Sequence, residues 1–187
     1  MDSLESERLI LRQWGENDKA SFYPINSDPE VMKFYPEPLS KEKNDRFVDK
    51  ARSLIEKNGW GFWACELKST AELIGFVGLN QPDYDLPFSA IEDPCTEIGW
   101  RLAKKHWHNG YATEAAKACL KYGFEHLKLP EIVAFAVKDN QPSISVMQRI
   151  GMSNTCSNFV HPLVADVDHL KEHVLYKITA QDYVAAG

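Results

Sequence analysis

The chain has 187 residues, and its 21 Lys plus Arg against 27 Asp plus Glu give a net charge of −6 with no run of like charges. That length supports a single sizeable core. The absence of clustered cations argues against nucleic-acid binding, which depends on neutralising phosphates, whereas an acidic surface tolerates or attracts a cationic partner such as an amine.

The first residues, Met1-Asp2-Ser3-Leu4-Glu5-Ser6-Glu7-Arg8, carry acids where a secretory leader is basic and then apolar, and nowhere do about 18 apolar residues run together. The expectation is a cytoplasmic protein with no membrane contact and a short N-terminal tail over 1–6. Leu9-Ile10-Leu11, followed by Trp14, predicts a first strand, after which Asn17 or Asp18 caps a short helix carrying Ala20, Phe22 and Tyr23. Asp28-Pro29 opens a turn. Ser40 is an N-cap for a longer helix with Phe47, Val48, Ala51, Leu54 and Ile55 on one face, stopped by Asn58-Gly59.

Two apolar runs, Phe62 to Leu67 and Leu73 to Leu79, separated by a polar stretch, predict an antiparallel pair. A long loop follows, with Pro82, Pro87 and Pro94 and the acids Asp83, Asp85, Glu92 and Asp93; it is either a binding loop or a solvated insert. The pattern then becomes strand, helix, strand, helix: Glu97 to Leu102, Thr113 to Leu127, Ile132 to Val137 and Pro142 to Ile150. This is the signature of a parallel βαβ crossover. A strand near Ser157 to Val160, a loop rich in His and Asp, a last strand Val174 to Ile178 and a helix opened by Thr179 complete the chain. The fold expected is one α/β domain over 7–183, with a mixed, mostly antiparallel sheet flanked by helices.

Asn109-Gly110 in isolation suggests a hairpin turn. The run Ala112 to Leu120, however, favours helix, which puts Gly110 between a strand and a helix N-terminus. Such a terminus presents free N–H groups and a partial positive charge, both suited to a diphosphate. Neither GxxxxGK[ST] nor a GxGxxG after a strand is present, so phosphate would be held by another pattern. Lys104 and Lys105, just before the loop, are candidate contributors to phosphate attraction or ordinary surface lysines.

Four segments then carry a resemblance: Glu7-Arg8-Leu9-Ile10-Leu11-Arg12, Ile74 to Leu79, Glu97 to Ala115, and Asn140-Gln141-Pro142-Ser143 leading to Gly151-Met152. Together they resemble the GCN5-related N-acetyltransferase (GNAT) superfamily over nearly the whole chain, in particular the ribosomal-protein N-terminal acetyltransferases of RimJ/RimL type. The resemblance implies a sheet splayed at the cofactor site and an acetyl-CoA cosubstrate. Its pyrophosphate would lie on Trp107, His108, Asn109, Gly110, Tyr111, Ala112 and Thr113, where only Gly110 and Ala112 match the superfamily's usual pattern directly. Trp100, Arg101 and Leu102 lie on the splayed strand that would offer a main-chain donor to the thioester oxygen, and Asn140 would bind the pantetheine arm.

Direct attack by a neutral primary amine in a ternary complex is the reaction implied. The amine, on a small molecule or a protein N-terminus, must lose a proton. Glu97 is the leading base; strand alternation places it with Gly99 and Arg101, so the alternative is a structural ion pair with Arg101. His161 and His173 are rival bases. The tyrosine that many members use as acid, seven residues after the Asn, is Met147 here; the resemblance passes that task to Ser143. Asn140 and Ser143 also read as a helix start.

His106-Trp107-His108 and the late histidines lack the partners that complete a metal site, and Cys65, Cys95, Cys119 and Cys156 form no CxxC, so no metal and reduced thiols are expected. Trp60, Phe62 and Trp63 read as core. A noncatalytic acyl-CoA-binding domain, and a structural domain without cofactor, are the competing functions; the state of assembly, monomer or homodimer, is open. The segments 26–41, 81–94 and 161–173 are expected to shape the acceptor cleft.

Overall fold

The computed structural model describes residues 3–90 and 94–186; Met1 and Asp2 of the acidic start, and Glu92 and Asp93 of the proline-rich loop, lie outside the described residues. The chain divides into two compact units, Met1–Leu79 with Gly99–Cys119, and Asn80–Ile98 with Leu120–Gly187.

In the first unit, β1 (Leu4–Glu5), β2 (Leu9–Arg12), β3 (Phe62–Leu67) and β4 (Leu73–Asn80) form an antiparallel ladder with registers Leu4↔Leu11, Leu9↔Leu67 and Phe62↔Gly78. β1 falls in the stretch expected to be a tail; two residues carry no period, and only pairing with β2 reveals it. The strands predicted at Leu9, Phe62 and Leu73 form as expected. Helix α1 (Asp18–Asn26) is organised by the Asp18 carboxylate, which accepts from the Gly15 N–H at 2.7 Å and from Arg12, while Asn17 makes no side-chain cap. Helix α2 (Lys41–Asn58) is capped by Ser40, whose hydroxyl accepts from the Lys43 N–H, and ends at Gly59. Val48, Ala51 and Ile55 are buried on its inner face.

That face completes an aromatic core in which Phe22 and Phe47 have ring centroids 5.6 Å apart, Phe47 and Phe76 5.1 Å, and Trp14 and Phe22 5.0 Å. The Trp14 indole is buried with its Nε1–H donating to the Phe62 carbonyl at 2.7 Å, satisfying the polar end of an otherwise apolar ring. Within β4, a Cβ on Gly75 would lie 2.0 Å from the Arg101 carbonyl oxygen, and φ there is +147°, so this close approach of two backbones requires glycine.

Strand β5 (Glu97–Leu102) is divided between the units, its first two residues in the second and the remainder in the first. Helix α3 (Tyr111–Lys121) starts two residues before the predicted Thr113 and gives way to a π-helical stretch at Tyr122–His126. Ala115, Ala116 and Cys119 are fully buried, which explains the small side chains there.

The second unit is built on β6 (Glu131–Val137) and β9 (Glu172–Thr179), antiparallel from Glu131↔Thr179 to Val137↔His173. β7 (Ser153–Asn154) and β8 (Phe159–Val160) both pair with β9, so the strand expected over Ser157 to Val160 is confined to its last two residues. The predicted crossover is present: β5 runs parallel to β6 at Glu97↔Val133. Helix α4 (Gln141–Arg149) follows β6. The final helix α5 (Ala180–Ala186) is opened by Thr179, whose hydroxyl accepts from the Asp182 N–H while Asp182 accepts from the Thr179 N–H, a reciprocal cap. Within the first unit the order is β1-β2-β3-β4, and within the second β6 lies between the start of β5 and β9, on which β7 and β8 also pair; the pairings are mixed and mostly antiparallel. Among the described residues, no helix is long and apolar enough to cross a membrane.

Candidate active site

In the first unit a 3-10 turn at Lys104–His106 leads into the loop before α3, and the Trp107 indole anchors it by donating to the Leu102 carbonyl at 2.8 Å. Asn109 Nδ2 donates to the carbonyls of His106 and Trp107, folding the turn on itself. His108 and Gly110 take left-handed conformations, φ +62° and +80°. Left-handed residues recur where successive amides form an anion-binding concavity. The first helical bond of α3 runs from the Glu114 N–H to the Gly110 carbonyl. Among the described residues, the backbone N–H groups of His108 through Thr113 have no partner. These six amides at the positive end of an eleven-residue helix fit a diphosphate.

Arg8 holds this loop in place, a role the sequence reading did not assign. Its Nε donates to Glu114 Oε2 at 2.7 Å, its Nη2 reaches the Asn109 carbonyl at 3.1 Å, and its guanidinium lies 4.5 Å from the Tyr111 ring centroid. The signal was the pairing of Arg8 with Glu114 across 106 positions, which no local pattern encodes. Lys105 and His106 both meet Glu72, so the HxH pair is divided between an ion pair and a strained loop position.

Arg101 was the partner in the alternative, structural reading of Glu97. Instead its Nη1 donates to Asn26 Oδ1 at 2.6 Å, and Asn26, itself fully buried, donates to Asn44. The guanidinium lies over Tyr35 at 4.2 Å, Phe76 at 5.5 Å and Phe47 at 5.7 Å. It is only 9% exposed, and its Nε is buried without a partner. Burying a cation costs several kcal/mol, and ring contacts return about 0.5–2 kcal/mol each, so an Arg without a carboxylate here is unusual. An open groove in this unit is lined by Ile25, Val31, Leu73, Ala103, Lys104 and Lys105 among others.

In the second unit, Glu97 is half-buried, and among the described residues its carboxyl makes one hydrogen bond, accepted from Asn80 Nδ2 at 2.8 Å. Burial pushes its pKa up to about 7, opposed by the Asn80 bond. A carboxyl with no cation beside it among the described residues and a pKa near neutrality is matched to moving a proton near pH 7. Asn80 was missed; its only sequence signal is a polar residue closing the apolar run of β4.

Two of the segments expected to shape an acceptor cleft meet in this unit. Tyr84 and His161 approach at 3.2 Å between Oη and Nε2, and the His161 and His173 rings are 4.7 Å apart, amid Phe135 and Phe159. The Leu163 N–H donates to His161 Nδ1, so in the neutral ring the proton sits on Nε2 and points to Tyr84. Burial, with His173 adding to it, lowers the His161 pKa to about 4, and burial lowers that of His173, so both rings are neutral at pH 7. Burial and then the Glu97 charge raise the Tyr84 pKa.

At the start of α4, Asn140 Oδ1 accepts from the Ser143 N–H at 3.3 Å, the expected cap. Asn140 Nδ2 and Ser143 Oγ have no partner among the described residues and are open to a ligand.

A profile described as an acetyltransferase (GNAT) domain matches residues 8–153. The chain belongs to the GNAT acetyltransferase family. It is similar to the Bacillus subtilis (strain 168) protein YkkB, 33% identical over 150 residues that cover 80% of this chain and 84% of that one. It is also similar to the FsC-acetyl coenzyme A-N(2)-transacetylase of Aspergillus fumigatus, 27% identical over 97% of this chain and 78% of that protein. A solved GNAT acetyltransferase from Bacillus anthracis superposes with a TM-score of 0.79 at 28% identity, covering 96% of this chain and 99% of that one. This GNAT chain is by its family an acetyltransferase. In it, Met147, at the position where other members carry the acidic tyrosine, is 1% exposed and packs in the core.

Proposed function

We propose that the protein transfers the acetyl group of acetyl-CoA to a primary amine by direct attack within a ternary complex, through an N-acetyltransferase domain spanning 7–183. The observation that carries this reading is Glu97, a carboxyl raised to about 7 with a single neutral hydrogen-bond partner. Acetyl-CoA supplies an activated thioester. The amides of His108 to Thr113 would hold its pyrophosphate, with Trp107, Gly110 and Ala112 fixing the loop, and Asn140 would donate to its pantetheine arm. Main-chain donors of Trp100, Arg101 and Leu102 would receive the thioester oxygen.

Glu97 takes the proton of the attacking nitrogen, directly or through water; the new C–N bond forms as C–S breaks, and the departing sulfur receives a proton from Ser143, whose hydroxyl regains one from solvent as Glu97 releases its own. His161 is the weaker candidate for base, because its low pKa and its two existing hydrogen bonds leave it little affinity for a proton at pH 7. The Aspergillus fumigatus relative, named for N-transacetylation from acetyl coenzyme A, supports the donor and the nitrogen acceptor.

The test is thiol release from acetyl-CoA against free amino acids, polyamines, aminoglycosides and peptide N-termini, with mass spectrometry of the products. At least one class is expected to yield an acetylated amine in step with thiol release. Thioester hydrolysis alone, with no acetylated product across the panel, contradicts the reading.

A further inference from the structure

Arg101 is the buried charge that the proposed chemistry leaves unused. Among the described residues no carboxylate lies within ion-pair distance of it, and its one hydrogen bond goes from Nη1 to the neutral amide of Asn26. The Nε–H is buried without a partner. Nη2 has no protein partner among the described residues either, but it is not sealed from solvent.

Nε and Nη2 form the side edge of a guanidinium, two parallel N–H donors at the spacing of the two oxygens of a carboxylate. Its neighbours hold this edge in orientation. Asn26 fixes Nη1 and is itself held by Asn44, while Tyr35, Phe47 and Phe76 pack around the planar group. A fork that is fixed and unpaired, with its Nε–H shut away from water, carries an electrostatic cost in the free protein and recovers it when an anion arrives.

We propose that the Arg101 side chain recognises a carboxylate on the acceptor, so that the amine substrate is an amino acid, or another amine that also bears a carboxylate, rather than a purely cationic polyamine. This rests on the reading of the protein as an N-acetyltransferase and specifies its substrate class. Arg101 is then a specificity residue. Its backbone occupies the strand that would serve the thioester, while its side chain serves the acceptor. Asn26 and Tyr35, from the segment 26–41, position it.

The experiment uses matched acceptors, amino acids against the corresponding amino-acid amides, with the whole chain. Wild type is expected to favour the acid over the amide by about 10- to 100-fold in kcat/KM, the range that a charge-assisted fork supplies. Arg101→Gln is expected to abolish that preference. Asn26→Asp supplies an internal carboxylate to the same guanidinium; it should likewise erase the preference, and it serves if Arg101→Gln fails to fold. Calorimetric titration with N-acetyl amino acids and their amides reads the site without any transfer step, and only the acids should bind wild type. Binding of those acids with no acetyl transfer to any amine would contradict the transferase reading and leave the carboxylate site standing. Equal transfer to acids and amides overturns the carboxylate site and leaves the transferase. A large rise in the acetyl-CoA KM of Arg101→Gln also overturns it, by assigning the charge to the cofactor.

Discussion

Asn80 Nδ2 donates to Glu97 Oε1 at 2.8 Å, the single hydrogen bond, among the described residues, of a carboxyl whose pKa burial has raised to about 7. Catalysis limited by this base should rise with pH to a plateau, with its midpoint near that value. Glu97→Gln is expected to cost about 10²- to 10⁴-fold in kcat and to flatten the acid limb. Because the Asn80 bond favours the ionised form, Asn80→Ala should move the midpoint upward while the plateau is largely retained. Rate profiles of the three proteins between about pH 5 and 9, the window bracketing that midpoint, check this; identical profiles remove Glu97 from the base role.

The same carboxyl makes stability depend on pH. Its folded pKa stands above the ordinary 4.5, so the folded state favours the protonated form. The contribution is fully present below about pH 4.5 and is lost as pH rises through about 7. Relative to wild type, Glu97→Gln should therefore gain stability at about pH 8, by up to about 3 kcal/mol, and little at about pH 4. Denaturant titrations at the two pH values measure the difference. A variant less stable than wild type at the higher pH would show that the carboxylate is stabilised by its surroundings.

Gly110 lies at φ +80°, and a methyl group added there would meet only Arg8 Nη2, at an ordinary contact distance of 3.6 Å, so the cost of Gly110→Ala is conformational. A loss of about 1–2 kcal/mol of stability is expected, together with weaker acetyl-CoA binding as the amides turn away. Arg8→Met, which releases Asn109 and Glu114, should weaken acetyl-CoA with little change in kcat, as isothermal calorimetry and steady-state kinetics would show.

Capping and ligand contact at Asn140 separate cleanly by substitution. Asn140→Asp keeps the acceptor for the Ser143 N–H but removes the Nδ2 donor, so the fold should persist while the acetyl-CoA KM rises. Asn140→Ala loses the cap as well, about 1 kcal/mol of stability. Ser143→Ala should lower kcat with little effect on either KM; full activity would confine that serine to structure.

What the sequence made readable was local. The Ser40 cap, the stripe through Val48, Ala51 and Ile55, and the apolar run of β4 are each fixed by spacing within a few residues, and all form as expected. So did Asn140 as the cap of α4. The contacts that organise the candidate site join distant positions: Arg8 with Glu114, Arg101 with Asn26, Tyr84 with His161. Their energetics depend on burial that only the fold creates. The alternative reading, an ion pair of Glu97 with Arg101, rested on strand alternation, yet each meets a neutral amide, Asn80 for one and Asn26 for the other, which leaves Glu97 a candidate base and Arg101 without a carboxylate partner among the described residues.

In the proposed reaction the loop before α3 grips the pyrophosphate of acetyl-CoA through its backbone. Amide NMR of the isotopically labelled protein reads those groups one by one. Addition of coenzyme A is expected to shift the N–H resonances of His108 to Thr113, while pantetheine, which lacks the pyrophosphate, leaves them in place. Saturable binding of coenzyme A with these six amides unmoved would contradict the account.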